Sequence, residues 1–108
     1  MIKFRAWDKR SKEMGSVQLV DFERREISNG GDIADFSDIE LMQSTGLKDL
    51  KDVDIFEGDV VWIIDKGEMD NGWGWFEEVK FRNGSFMVGD DFLINSHHRC
   101  VVRGNIYE

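Results

Sequence analysis

Val79-Lys80-Phe81-Arg82-Asn83-Gly84-Ser85-Phe86-Met87-Val88 is the stretch on which the fold turns. Asn-Gly at its centre is the residue pair that a two-residue type I′ turn favours, because both positions need positive φ and these two residues accept it most easily. Apolar and polar residues alternate on either side. A hairpin closed there places Phe81 opposite Phe86 and Val79 opposite Val88 on one face, the pairing that stabilises an antiparallel ladder.

Toward the N-terminus, Gly67 to Gly74 is turn material, and Trp73, Trp75 and Phe76 add aromatic weight unusual for a solvated loop. Before it, Asp59-Val60-Val61-Trp62-Ile63-Ile64-Asp65 runs β-branched and aromatic residues without alternation, which predicts a strand buried on both faces. Glu57-Gly58-Asp59 reads as a tight turn into that strand. Between Phe36 and Leu47 the apolar residues Phe36, Ile39 and Met42 recur at intervals near three, which predicts a short helix or irregular turn with Ser37 or Asp38 as N-cap. Ser28-Asn29-Gly30-Gly31-Asp32 is a loop. Residues 2–7 alternate, with Ile2, Phe4 and Ala6 on one side, and Asp8 to Lys12 can turn that strand back into a second extended stretch marked by Val17, Leu19, Val20 and Phe22. A hairpin or meander therefore opens the chain. Toward the C-terminus, Phe92-Leu93-Ile94, Cys100-Val101-Val102 and the pair Ile106-Tyr107 are further extended runs, the last a candidate edge strand.

A chain of 108 residues with 41% hydrophobic content holds one compact core, and the absence of Pro and of low-complexity segments argues against a linker between moving domains. The longest apolar run, Val60 to Ile64, is far short of the roughly 20 residues of a membrane-spanning helix, and Lys3 and Arg5 follow Met1 with no apolar segment behind them. With a lone Cys100 as well, the expected location is the cytoplasm, with no membrane partner. The net charge of −8 is concentrated in residues 29–78, which carry three basic and fourteen acidic side chains, whereas residues 1–28 and 79–108 are each slightly basic. Such a field repels phosphate backbones and makes nucleic acid an unfavoured partner, although Lys3, Arg5, Lys9, Arg10, Lys12, Arg24 and Arg25 could form a local basic face.

No arrangement of residues marks a catalytic centre, and neither a cofactor nor a metal is expected. His97-His98 beside Cys100 offers imidazole and thiolate, but adjacent strand residues face opposite ways and no second ligand pair completes a zinc site. Asp52, Asp54, Glu57 and Asp59 lack the order and terminal Glu of a calcium loop. Cys100 with His98 is the one conceivable nucleophile and base, and a core cysteine is the favoured reading. Trp73 and Trp75 flank a Gly and share a face if extended, a spacing that suits core packing, a protein interface or stacking on nucleobases, the last disfavoured by acidic neighbours. With Asp70, Glu77 and Glu78 beside them, they make the candidate interaction surface.

Three segments carry a family resemblance: Ile2-Lys3-Phe4-Arg5-Ala6-Trp7-Asp8; Leu41 to Asp49 followed by Ile55-Phe56-Glu57-Gly58-Asp59-Val60-Val61; and Gly104-Asn105-Ile106-Tyr107-Glu108. Together they resemble the YopX family, found mostly in phages and prophages of Gram-positive bacteria. The resemblance implies a strand-rich fold whose second half is similar to a small SH3-like barrel, and no established activity. This chain departs from the family pattern mainly after Gly67, in the segment Asp70-Asn71-Gly72-Trp73-Gly74-Trp75, and after Gly89.

The expected fold is mainly β, a β-rich α+β chain. An N-terminal hairpin or meander lobe and a C-terminal SH3-like small barrel, over approximately residues 1–50 and 51–108, form one compact unit, a single YopX-like domain spanning 1–108. The expected function is that of a phage or prophage accessory protein, not an enzyme, acting by binding an unidentified host or phage protein. Acidic mimicry of nucleic acid is one version of that reading, and a homo-oligomer is the default for exposed strand edges. The alternative is a nucleic-acid-associated SH3-like module.

Overall fold

The computed structural model describes residues 3–65 and 73–108. Ile2 and the turn expected over residues 67–72 lie outside the described residues. The fold is mainly β, and the chain divides into two compact units, Met1–Ser44 and Thr45–Glu108.

In the first unit β1 (Phe4–Asp8) pairs antiparallel with β2 (Glu13–Val17), setting Ala6 against Gly15. The turn between them forms because the Asp8 carboxylate accepts hydrogen bonds from the backbone N–H groups of Arg10 and Ser11 at 2.8 and 3.2 Å. One residue, Gln18, separates β2 from β3 (Leu19–Asp21), so the second extended stretch of the sequence is a strand that leaves one sheet for another. There β3, β4 (Glu26–Ser28) and β5 (Ile33–Asp35) form a three-stranded antiparallel sheet. Ala6, Ile27 and Ile39 are the buried centre of this unit, with Val17, Val20, Ala34, Phe36 and Leu41 packed around them.

The helix expected after Phe36 is confined to one 3₁₀ turn, Phe36–Asp38, and its N-cap is Asp35, whose side chain accepts from the Ser37 N–H. Ten residues of strand follow as β6 (Ile39–Lys48), whose first part pairs with β1. The near-three spacing arose because this strand is covered on both sides. Ile39 and Leu41 face the cluster around Ala6, while Met42, of opposite parity, is also buried. Burial of both parities removes the period-2 signal.

In the second unit the distal part of β6 neighbours β7 (Asp54–Phe56). A curled five-stranded antiparallel sheet, a half-barrel, follows in the order β11-β10-β9-β8-β12, built from β8 (Asp59–Ile64), β9 (Gly74–Arg82), β10 (Ser85–Val88), β11 (Asp91–Phe92) and β12 (Cys100–Asn105). Hairpin β9–β10 has the register that Asn83-Gly84 predicts, Phe81 opposite Phe86 and Val79 opposite Val88, with φ of 53° at Asn83 and 82° at Gly84. Ile55, Val61, Ile63, Val79, Val88, Leu93 and Cys100 form the core.

Three local expectations change. Strand β8 is not covered equally on both faces: Asp59, Val61 and Ile63 are buried, while Val60, Trp62 and Ile64 are half-buried. Phe92-Leu93-Ile94 does not continue as a strand, because the chain enters α1 (Leu93–Ser96), a single helical turn that buries Leu93 and leaves Ile94 exposed. A 3₁₀ turn, His97–Arg99, leads on to β12. Ile106 and Tyr107 form a turn rather than an edge strand, because the Asn105 side chain accepts from the N–H groups of Tyr107 and Glu108 and curls the backbone off the sheet.

Candidate functional site

The aromatic residues singled out by the sequence lie where β8 and β9 begin to pair. Register runs Ile64 with Gly74, Ile63 with Trp75, Trp62 with Phe76, Val61 with Glu77 and Val60 with Glu78. One further rung, the Asp65 N–H donating to the Trp73 carbonyl at 2.9 Å, holds Trp73 just before the strand. Strand alternation places Trp75 and Glu77 on the side of Val79, and Phe76 and Glu78 on the opposite side. The two acidic neighbours therefore flank the strand rather than share a face. Asp70 lies outside the described residues.

Gly74 is needed in this arrangement. A Cβ there would meet the Ile63 carbonyl oxygen and, at 2.8 Å, the Trp62 indole. The missing side chain lets the indole lie close to the β9 backbone, and Phe76 packs edge-on against it with ring centroids 4.8 Å apart. The strand end nevertheless leaves 67% of Trp73, 43% of Trp75 and 58% of Phe76 accessible to solvent. Summed over both faces of the strand end, the three rings present on the order of 300–400 Å² of apolar surface, comparable to the largest apolar patch of an ordinary monomer. Phe76 was the residue missed when the Trp pair was singled out. Its position next to Trp75 put it on the opposite face, so the spacing rule that joined the tryptophans set it aside.

Glu77 reaches toward the turn after β10, where a Cβ on Gly89 would meet its carboxylate at 2.6 Å. Glu78 lines a shallow recess of about 220 Å³ with Lys80, Arg82, Met87 and Asp90. Elsewhere in the acidic middle, several carboxylates have internal tasks. Asp35 caps a 3₁₀ turn, Asp38 pairs with Arg10, Glu40 with Lys9 and Asp54 with Lys48. Asp49 and Asp59 are buried. Asp59 accepts from the Phe56 N–H at 2.8 Å across Gly58, whose φ is 88°, so Glu57-Gly58-Asp59 is a turn locked by its own aspartate.

Cys100 is fully buried, its Sγ 3.3 Å from the Ser96 carbonyl oxygen to which it donates. Burial pushes its thiol up to about 11, so little thiolate exists near neutrality. His97 Nδ1 lies 2.7 Å from the Lys48 carbonyl oxygen, and the rings of His97 and His98 meet edge-on at 5.8 Å. Among the described residues no three His, Cys, Asp or Glu side chains converge as metal ligands, and no helix is long and apolar enough to cross a membrane.

The model of the YopX protein family matches residues 3–108. Among solved structures, the crystal structure of protein EF1440 from Enterococcus faecalis is similar over 100% of this chain and 94% of that one, at 30% identity and a TM-score of 0.74. No curated protein matches the chain.

Proposed function

The chain belongs to the YopX family, and from that premise we propose that it is a phage or prophage accessory protein that acts in the host cytoplasm by binding another protein through the aromatic end of β9. The observation that supports this reading is the exposure of Trp73, Trp75 and Phe76 at one strand end, 67%, 43% and 58% respectively. A Trp that a folded chain leaves in water loses little conformational freedom when a partner covers it, which is why Trp is enriched among the residues that dominate interfaces. Glu77 and Glu78 on either side of the strand favour a partner with a basic surface.

The test is retention of proteins from host lysate, with and without phage infection, on the tagged full-length chain and on a Trp73→Ala/Trp75→Ala variant, at low and high salt. One stoichiometric partner that the variant loses, and that high salt weakens, is the expected result. A partner held equally well by the variant overturns the assignment of the surface, and recovery of the chain alone overturns a separate protein partner.

A further inference from the structure

The first unit contains a cavity of about 650 Å³ that has no part in the surface just described. Its volume falls within the range of ligand pockets, roughly 300–1,000 Å³. One wall is Glu13 to Ser16 of β2, and the other is the β4–β5 turn with Ile33 and Ala34 of β5. Among the described residues each of those strands is the last of its sheet, with a neighbour on one side only. The floor is Ala6, Ile27 and Ile39, the buried centre of the unit.

Small residues keep this space open. Gly15 stands directly opposite Ala6 and so would project any side chain onto the same face, yet a Cβ built on it meets nothing within 4 Å. Its φ is not positive, so conformation does not require glycine there. A Gly that neither a turn nor a close approach demands, in a strand that would gain from a β-branched residue, leaves room for something else. The rim carries Asp8, Glu13 and Asp32, and among the described residues no Lys or Arg lines the cavity.

We propose that this cavity is a peptide-binding groove, in which an extended basic segment of a partner protein adds as a strand to the open edge of β2. Main-chain hydrogen bonds to β2 supply the pairing, an apolar side chain rests over Ala6, Ile27 and Ile39, and Lys or Arg side chains two positions away, on the same face of the segment, meet Asp8, Glu13 and Asp32. Four residues of β2 line the groove, room for an extended segment about 13 Å long. Charge selects the occupant, since a nucleic acid or an acidic peptide would bring like charge to this rim. The groove shares no lining residue with the aromatic end of β9, and the two readings stand or fall independently.

The probe is a short fluorescein-labelled peptide, Thr-Lys-Thr-Val-Thr-Lys-Thr, which carries Val and Lys on one strand face, titrated with the full-length chain by fluorescence anisotropy, beside the same design with Glu in place of Lys. Binding of the Lys peptide alone, weakened as salt rises, is expected. Gly15→Val should fill the groove while keeping the fold, with circular dichroism and urea stability at or above wild type, and should weaken the Lys peptide by about tenfold or more. Asp32→Asn, at an exposed position, should weaken it less and flatten its salt dependence. The Trp73→Ala/Trp75→Ala variant should bind the peptide like wild type. Equal binding of both peptides, no binding of the Lys peptide, wild-type binding by a folded Gly15→Val variant, or loss of binding in the Trp variant would each overturn the groove.

Discussion

Replacement of Asp49 should produce a large stability loss in the second unit. Its side chain is 6% exposed and accepts three backbone hydrogen bonds, from Lys51 and Val53 on Oδ1 at 2.8 and 2.9 Å and from Val102 on Oδ2 at 2.8 Å. It thereby fastens the loop between β6 and β7 to β12, beside the Leu50 N–H donating to the Cys100 carbonyl. Hydrogen bonds to a charged acceptor contribute about 1.5–3 kcal/mol each, and a buried donor left without an acceptor costs about 1–3 kcal/mol. Lys51 and Val53 are exposed, so their N–H groups recover much of the loss from water, whereas Val102 is part of the sheet and half-buried. In Asp49→Asn the amide oxygen can serve the Lys51 and Val53 pair only by turning its NH₂ against the Val102 N–H. That variant should lose about 2–3 kcal/mol and Asp49→Ala about 3–4 kcal/mol, and the Asn variant should melt roughly 10–20 °C lower. Urea and thermal unfolding measure the totals, and amide hydrogen exchange at Val102, accelerated in both variants, locates the cause. If Asp49→Asn unfolds like wild type while Asp49→Ala does not, the second oxygen contributes nothing and the three-donor argument is wrong.

Gly74→Ala should destabilise by about 1–3 kcal/mol, because the added methyl meets the Ile63 backbone and the Trp62 ring, and Trp62 emission should shift as the ring is displaced; unchanged unfolding and emission would show that the close approach is not constrained. Alkaline stability should depend on Cys100. Its folded-state pKa is raised from 9.0 to about 11 by burial, so the folded chain holds this proton more tightly and the contribution is fully present below pH 9.0. About 2–3 kcal/mol is then lost as the pH rises from 9 to 11, which follows from about 1.4 kcal/mol per pKa unit. Unfolding of wild type and Cys100→Ala across pH 8.5–11 separates this from the other groups that titrate there, and parallel curves would remove Cys100 as the cause.

Much of the second unit was legible because its decisive signals are local. Asn83-Gly84 dictates its own turn, and the turn dictates the pairing of Val79 with Val88, the fourth pair out from it. The first unit was harder to read because its strands exchange sheets. Nothing in the composition of Val17-Gln18-Leu19 marks the passage from one sheet to the next, since that is decided by β4, which pairs with Leu19 and bonds the Gln18 N–H through the Ser28 carbonyl at 2.9 Å. At β6, burial of both parities imitated a helix. The candidate surface was half legible: Trp73 and Trp75 were visible as a spaced pair, but exposure depends on what covers a ring, and a strand face cannot be assigned to Glu77 or Glu78 before its register is known. Asp49 carried no signal at all among its acidic neighbours, because its three donors come from Lys51, Val53 and the distant Val102.

The second unit also has an order in time. The β9–β10 hairpin closes over a two-residue turn, an event of about 1–10 μs once its residues are free. The ladder of β12 with β8 joins Cys100 to Ile63 across most of the unit's length, and Cys100 and the Val102 N–H that satisfies Asp49 arrive only with β12. During synthesis, at about 5–20 residues per second, a nascent chain therefore waits seconds with β8 unpaired along one side and its core unsealed. The last strand made is the one that converts a local hairpin into a folded unit, and a ribosome stalled before Cys100 would present an open sheet edge to whatever is nearby.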